Sequence, residues 1–401
     1  MRAVEQFFAP CPRGLENVFA DELRELGIDA PAAVPGGAAF AAPLDAVYRV
    51  NCWSRIASRV LLRVAEAEYG SEEDIYQLAR GVAWEDWFKP VQTLRVDLVA
   101  TRSPLTSLKF TTLRVKDAIC DRLRELTGTR PNIDKLLPDV RVHVYLDASR
   151  VMLYLDTSGE ALFKRGYRSE KVEAPLRENL AAGILRLTGW TPAQPLYDPM
   201  CGSGTFLIEA ARIALALPPA IKRRYGFERL KFFNQQAWEA ARVAPIKPAP
   251  TPGAPTPGAP TPGAPTKPLL PEPRIFGSDI SPQTLRSAVS HFNAAGVGGV
   301  IHVRPGDLLK LAAPCAEAGI MIANPPYGER IGNSAELDLF YPELGHALKN
   351  RYAGWNCYFI SADRRMEKLI RLKASRRTPL MNGDLDCRLY EFRMVAGGNR
   401  G

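Results

Sequence analysis

The chain has 401 residues, and its 46% hydrophobic content is enough to form the cores of two or three domains. It contains no apolar run near the roughly 18 residues of a membrane span and no signal-like N-terminus, which predicts a cytoplasmic protein. Its seven cysteines include no C-x-x-C pair, which predicts reduced thiols. The net charge is +9, and because Lys and Arg number 22 against 23 Asp and Glu up to residue 166, the basic excess lies in the second half.

Short strands and helices alternate through the first 163 residues, which predicts two small α+β units, residues 1–65 and 66–163. The first unit is predicted to contain strands at 7–8, 34–40 and 58–64 and helices at 14–26 and 44–52. The second is predicted to contain helices at 71–81 and 112–126, a strand at 93–100, and a hairpin over 140–155 that turns at 147–150.

A strand, a tight glycine turn and a helix follow one another around residues 198–205 (DPMCGSGT). The apolar approach at 195–197 predicts the end of a strand, and the alanine-rich run at 206–217 predicts a helix. Gly202 and Gly204 lack the Cβ atoms that would keep a ligand from the backbone, and the helix N-terminus offers unpaired N–H groups. This pattern is typical of a site for a nucleotide-like cofactor, although a glycine turn alone also occurs in other α/β proteins.

Residues 251–265 are three identical copies of Thr-Pro-Gly-Ala-Pro within a proline-rich stretch from 245 to 273. Such a segment lacks the apolar groups needed to fold. We therefore predict a disordered insertion, without a catalytic role, in a domain that covers residues 164–401.

Three predicted strands after the repeat end in polar residues. The strand at 274–278 ends at Asp279, the strand at 300–303 is followed by Asp307, and the strand at 319–323 leads to Asn324. In nucleotide-binding α/β units, an acid at the end of the second strand bonds the ribose hydroxyls. Strand counting gives this role to Asp279. Further strands are predicted at 354–362 and 389–395, and the four histidines show no metal-ligand spacing, so no metal is expected.

The glycine motif followed by Asn324-Pro325-Pro326-Tyr327 resembles the class I methyltransferases, which use S-adenosylmethionine and methylate exocyclic or amide nitrogens. The resemblance implies an α/β, Rossmann-like domain and cofactor contacts from the turn, from the two strand-end acids and from the helix at 176–182. The residues implied are Asp198, Cys201, Gly202, Ser203, Gly204, Thr205, Asp279 for the ribose, Asp307 for the adenine, and Asn179.

The resemblance also implies that Asn324, Pro325, Pro326 and Tyr327 are catalytic, and chemistry explains their types. An aryl amine is a poor nucleophile because its lone pair is conjugated with the ring. The Asn324 side-chain oxygen and the Pro325 carbonyl can both accept from the NH2 group and fix the nitrogen, while the Tyr327 ring can stack on the base. A cysteine nucleophile would instead activate a pyrimidine ring carbon, so Cys201 is expected to pack or to lie near the cofactor.

Four stretches of the N-terminal region resemble the ferredoxin-like and THUMP domains of bacterial 23S rRNA guanine-N2 methyltransferases of the RlmL type. They are residues 11–16, 53–59, 115–119 and 130–134. By resemblance, one face of the THUMP domain grips RNA, with Arg102, Lys109, Arg114, Lys116 and Arg122 as candidates. A solvated helix with internal ion pairs explains any one of these cations equally well.

The whole resemblance implies methyl transfer to the N2 amine of a guanine in 23S rRNA, free or in a precursor particle. Separately, we expect a monomer that does not bind a membrane. It covers only the first half of the fused two-enzyme form found in some bacteria. A tRNA guanine-N2 methyltransferase is the nearest alternative. Enzymes that methylate glutamine in release factors share N-P-P-Y but lack this N-terminal architecture. A non-catalytic assembly factor is disfavoured by the intact Asn324 and both glycines.

Overall fold

The computed structural model describes residues 4–168, 176–243, 274–325 and 334–395. They divide into two compact units: residues 4–11, 19–164 and 222–243 form the first, and residues 12–18, 165–168, 176–221, 274–325 and 334–395 form the second. The Thr-Pro-Gly-Ala-Pro repeat lies outside the described residues. No helix within the described ranges is both long and apolar enough to cross a membrane.

The elements up to residue 156 follow the predicted alternation of strands and helices in most places, with an additional short helix at 84–87. They are β1 (Val4–Pro10), α1 (Glu16–Glu25), β2 (Ala32–Val34), β3 (Gly37–Pro43), α2 (Ala46–Trp53), β4 (Leu61–Glu68), α3 (Glu72–Gly81), α4 (Trp84–Trp87), β5 (Leu94–Ala100), α5 (Leu108–Thr127), β6 (Val140–Leu146) and β7 (Arg150–Asp156). The strands form one seven-stranded sheet in the order β2-β3-β1-β4-β7-β6-β5. Because β4 pairs with both β1 and β7, the two predicted α+β units share this sheet.

Local sequence explains several of these boundaries. Ser71 accepts from the Asp74 N–H and begins α3 with a capping box. Gly128 takes the left-handed conformation and ends α5. The single strand predicted at 34–40 is wrong, because Gly36, with φ +81°, makes a turn that separates β2 from β3.

The remaining elements belong to the second unit, except for α8. They are α6 (Glu178–Leu187), β8 (Leu196–Asp198), α7 (Thr205–Ala214), α8 (Gln235–Val243), β9 (Ile275–Asp279), α9 (Pro282–Ala294), β10 (Ile301–Pro305), β11 (Ile320–Ala323), α10 (Ser334–Arg351), β12 (Asn356–Ser361), α11 (Met366–Leu369), β13 (Arg376–Asn382) and β14 (Leu385–Arg393). The helices α8, α10 and α11 and the strand β13 were not predicted.

A second seven-stranded sheet organises this unit, in the order β10-β9-β8-β11-β12-β14-β13. The first five strands are parallel, and β14 and β13 are antiparallel to their neighbours. Tyr197, Met321 and Tyr341 are fully buried in the hydrophobic cluster on this sheet. The predicted Rossmann-like α/β fold is therefore confirmed.

Residues 222–243 lie in the first unit, whereas the predicted methyltransferase domain ran from 164 to 401 without interruption by another unit. Aromatic packing explains the difference. The rings of Phe227 and Trp238 lie 4.9 and 6.2 Å from the ring of Tyr48, and Trp53 Nε1 donates to the Ala241 carbonyl at 2.9 Å. Aromatic pairs at these distances stabilise beyond the area that they bury.

Candidate functional site

Two strand ends with distinctive sequences lie side by side in the second unit. β8 and β11 pair in parallel, with Met321 beside Tyr197, so the glycine turn and Asn324 leave the same edge of the sheet. The strand order reverses between these two strands. In open α/β sheets, ligands bind at such a reversal, outside the carboxyl ends of the strands.

The turn after β8 requires glycine at two positions for different reasons. Gly204 has φ +80°, and a Cβ atom there would come within 2.2 Å of the Phe292 ring. Gly202 has φ +52°, but a Cβ atom there would meet no atom of the described residues within 4 Å. The Cys201 N–H donates to the Ser278 carbonyl at 2.9 Å and ties the turn to β9. Open space therefore remains beside Gly202, where backbone groups can approach a ligand.

Two of the predicted acids stand at neighbouring strand ends. Asp279 Oδ2 accepts from the Gly202 N–H at 3.0 Å, so this carboxylate holds the glycine turn. Asp307 follows β10, and its Oδ1 accepts from the Leu309 N–H at 2.9 Å. The Gly306 N–H donates to the Asp279 carbonyl at 3.0 Å, which keeps the two acids close along the sheet edge. Because each carboxylate has about four lone-pair sites, both retain capacity to accept from a ligand.

Asp198 and Cys201 are buried within the structure that supports the turn. Asp198 is 2% exposed, and its Oδ1 accepts from the Met200 N–H at 3.2 Å. Burial, together with the nearby Asp279, raises the pKa of Asp198 well above its usual range. Burial also raises the pKa of the Cys201 thiol well above its usual range. Since the thiolate is the nucleophile, this environment does not favour covalent chemistry at Cys201.

Arg168 contacts the first turn of α7 and the residues at the start of α6, and no role was predicted for it from the sequence. Its guanidinium donates to Thr205 Oγ1 at 2.7 Å and to the Leu176 carbonyl at 3.2 Å. Its Nε lies 3.3 Å from Glu178 Oε1. Arg168 thereby connects the first turns of α6 and α7, which carry Asn179 and Thr205. The sequence signal was weak, because an arginine in a basic run is usually solvated.

Further buried polar groups support the turn from α9 and from α7. The Ser203 carbonyl lies 3.2 Å from Nδ1 of His291, which is only 4% exposed. One turn into α7, Glu209 Oε1 accepts from Arg165 Nε at 3.1 Å, and both side chains are fully buried. A buried ion pair fixes local geometry when its partners satisfy each other.

Asn324 follows β11, and its side-chain oxygen is buried. Among the residues that the structure describes, Asn324 Oδ1 has no hydrogen-bond donor. A buried acceptor left unpaired costs about 1–3 kcal/mol and is therefore rare. Its position beside the glycine turn marks a place that a ligand N–H would fill. Pro325 is also buried, whereas Pro326 and Tyr327 lie outside the described residues.

The cations predicted to bind RNA lie in the first unit and divide into two groups. Three form ion pairs with acids of the same unit: Arg114 with Glu73, Lys116 with Asp117, and Arg122 with Glu85. Arg102 and Lys109 are exposed, and neither has an ion-pair partner in the described ranges. The alternative of an ion-paired helix surface is thus favoured for the first group.

Three family models match successive parts of the chain. A ferredoxin-like domain of the RlmL type matches residues 6–61, a THUMP domain matches residues 69–156, and an RMKL-like methyltransferase domain matches residues 165–391. These matches confirm the resemblance predicted for both halves of the sequence.

Individual proteins that are similar to this chain are also named as methyltransferases. The ribosomal RNA large subunit methyltransferase K/L of Photobacterium profundum is 38% identical over 98% of this chain and 54% of its own length. A proposed RNA methyltransferase of Synechocystis is 34% identical over 97% of this chain and 96% of its own length. The solved structure of SMU.472, a proposed methyltransferase in complex with SAH, is 26% identical, with a TM-score of 0.82 over 98% of this chain and 99% of that one. The chain spans about half the length of the K/L relatives that it matches.

Proposed function

We propose that this chain, which belongs to the RMKL-like methyltransferase family, transfers a methyl group from S-adenosylmethionine to the exocyclic N2 amine of a guanine in 23S rRNA. One structural observation supports the proposal most directly: Asn324 Oδ1 is buried at a strand end beside the glycine turn, and no described residue donates a hydrogen bond to it. An acceptor in this position fits an amine that must be held by its hydrogens.

The residues around the glycine turn fit S-adenosylmethionine. Open space beside Gly202 admits a ligand to the backbone, and Asp279 and Asp307 offer acceptors for ribose hydroxyls and for the adenine amine. When bound, the cofactor supplies an activated methyl group on a sulfonium. In the described ranges no cluster of three or more metal-ligating side chains is present, and we propose cofactor binding that needs no metal.

Replacing Asp279 with alanine should weaken S-adenosylmethionine binding by about 1–3 kcal/mol, because a charged acceptor is lost. The Gly202 N–H that Asp279 now binds would also be released. Isothermal titration calorimetry measures the change, and a chelator should leave the wild-type affinity as it is. Asp279→Asn keeps an acceptor for the Gly202 N–H, and its affinity for S-adenosylmethionine should lie between those of the wild type and the alanine variant. An alanine variant with wild-type affinity would remove Asp279 from the site.

Asn324 and Pro325 would arrange the target amine. Asn324 Oδ1 accepts one amine hydrogen and the Pro325 carbonyl accepts the other. With both hydrogens held, the nitrogen loses conjugation with the ring, and its lone pair has a fixed direction. This preorganisation acts mainly in the transition state, since the bound groups do not reorient during the reaction.

The RNA substrate is proposed from the relatives and from the first unit. The K/L relatives are named for large-subunit ribosomal RNA, and a THUMP domain precedes the methyltransferase domain. We therefore propose that ribosomal RNA, free or in a precursor particle, is bound in the cytoplasm by a monomeric chain.

The product identifies the substrate. The purified chain, labelled S-adenosylmethionine and 23S rRNA should yield N2-methylguanosine after nuclease digestion and mass spectrometry. A strain that lacks the gene should lose the same nucleoside from 23S rRNA and keep it in tRNA. Loss from tRNA alone would favour the tRNA enzyme. Methylated adenine, or label in protein, would contradict the proposed function.

A further inference from the structure

Three large apolar side chains are exposed at the start of α5. Leu108, Phe110 and Leu113 have exposed fractions of 39%, 51% and 45%. Residues three and four apart are neighbours on a helix, so Leu113 adjoins both Phe110 and Lys109. Single exposed apolar residues are common, but a group at one helix end, edged by cations, is typical of a binding surface.

The unpaired charges at this end of α5 are positive. Lys109 lies in the first turn and Arg102 in the preceding loop, and the described residues provide neither with an ion-pair partner. The first turn of α5 contains no acid, whereas that of α3 contains three. Acids are favoured at a helix N-terminus by the helix dipole, and a lysine is disfavoured there. An external anion would correct this imbalance.

We propose that a surface formed by Arg102, Lys109, Phe110 and Leu113 binds an unpaired stretch of the RNA substrate. Phe110 stacks on a base, while Arg102 and Lys109 contact phosphates. Aromatic and cationic side chains together hold single strands in this way, whereas a base inside a duplex has no free face for stacking. The inference rests on the proposed function, because that function makes RNA the partner.

The middle of α5 is less suitable for RNA. Arg114 pairs with Glu73 and lies 4.0 Å from the centroid of the Tyr76 ring. Arg122 donates to both carboxylate oxygens of Glu85, at 2.8 and 2.6 Å. A phosphate at either position would have to displace a carboxylate, so the start of the helix is the more favourable surface.

The test measures the affinity of the full-length chain for a labelled, mixed-sequence single-stranded RNA and for a blunt duplex of the same strand. Phe110→Ala should weaken single-strand binding roughly 5- to 150-fold, the effect of losing one stacked base, and leave duplex binding unchanged. Phe110→Trp, which keeps an aromatic ring, should bind the single strand with about the wild-type affinity. Leu126, 58% exposed in the last turn of the same helix, is the matched control, and Leu126→Ala should have no effect.

The salt dependence of binding tests the two cations together, independently of the Phe110 ring. Arg102→Gln with Lys109→Gln should lower the slope of log affinity against log salt by about 1.4, since each single-strand phosphate contact contributes about 0.7. Arg114→Gln, which removes a paired cation, should change the slope less.

Wild-type affinity in Phe110→Ala would overturn the inference, as would full rescue by Phe110→Leu or an equal loss in Leu126→Ala. Sedimentation velocity excludes a different occupant: if Phe110→Ala dissociated a dimer, the surface would be a self-association site and the inference would be wrong. Methyl incorporation by the wild-type chain is scored independently. If RNA binding depended on Phe110 but no methyl transfer were detected, only the proposed function would be contradicted. If methyl transfer were detected but RNA binding did not depend on Phe110, only this inference would be contradicted.

Discussion

Replacing Asn324 with alanine should lower the single-turnover rate of methyl transfer by about 100-fold or more, the scale seen when one preorganised polar contact to the reacting group is lost. The affinities for S-adenosylmethionine and RNA should change little. Asn324 Oδ1 has no hydrogen-bond donor among the described residues, so loss of this oxygen breaks no hydrogen bond within those ranges. Rapid-quench transfer at saturating RNA measures the rate, and calorimetry and anisotropy measure the affinities.

Ser361 provides a control because it is a buried polar residue at the end of β12, the strand next to β11. Ser361→Ala should leave the rate close to wild type, because a neighbouring strand end is not expected to contact the amine. Asn324→Asp keeps an acceptor but adds a charge, and its transfer rate should lie between those of the wild type and Asn324→Ala. A normal rate in Asn324→Ala would contradict methylation of an amine nitrogen, whatever the variant binds.

The strands that deliver the site could be predicted because buried parallel strands are short apolar runs bounded by glycine or polar residues. Asp279 and Asn324 were located in this way, and the glycine turn by its spacing. The cap Ser281, which accepts from the Thr284 N–H at the start of α9, is a local feature of the same kind. These features depend on neighbours in sequence.

Features that depend on distant contacts were not predicted. No helix was predicted at 334–351, yet α10 forms there and contains Pro342, because burial of Tyr341 and Leu344 outweighs the local cost of a proline. Pro379 is tolerated in β13 because this strand is at the edge of its sheet, where a missing N–H leaves no partner unsatisfied. The contact between Asp279 and the Gly202 N–H joins residues separated by α7, α8 and the repeat, so no local pattern indicates it.

Replacing Glu209 with alanine should lower the free energy of unfolding of the second unit by about 3–5 kcal/mol, because Arg165 would keep its charge in a fully buried position without its carboxylate partner. The same substitution should also weaken S-adenosylmethionine binding. Glu209 is one helical turn from Thr205, so movement of α7 also moves the glycine turn. Scanning calorimetry and hydrogen exchange of peptides from α7 measure the stability, and titration measures the loss of S-adenosylmethionine affinity.

The double variant Arg165→Met with Glu209→Leu separates charge from packing. Removing both charges should recover most of the lost stability, since the main cost in the single variant is a buried charge that has lost its Glu209 partner. The exposed pair of Arg274 and Glu317, 2.5 Å apart, is the control, and Glu317→Ala should hardly move the melting temperature because solvent screens that pair. If the double variant were as unstable as Glu209→Ala, then the shape of these two side chains, rather than their charge, would hold α7 beneath the glycine turn.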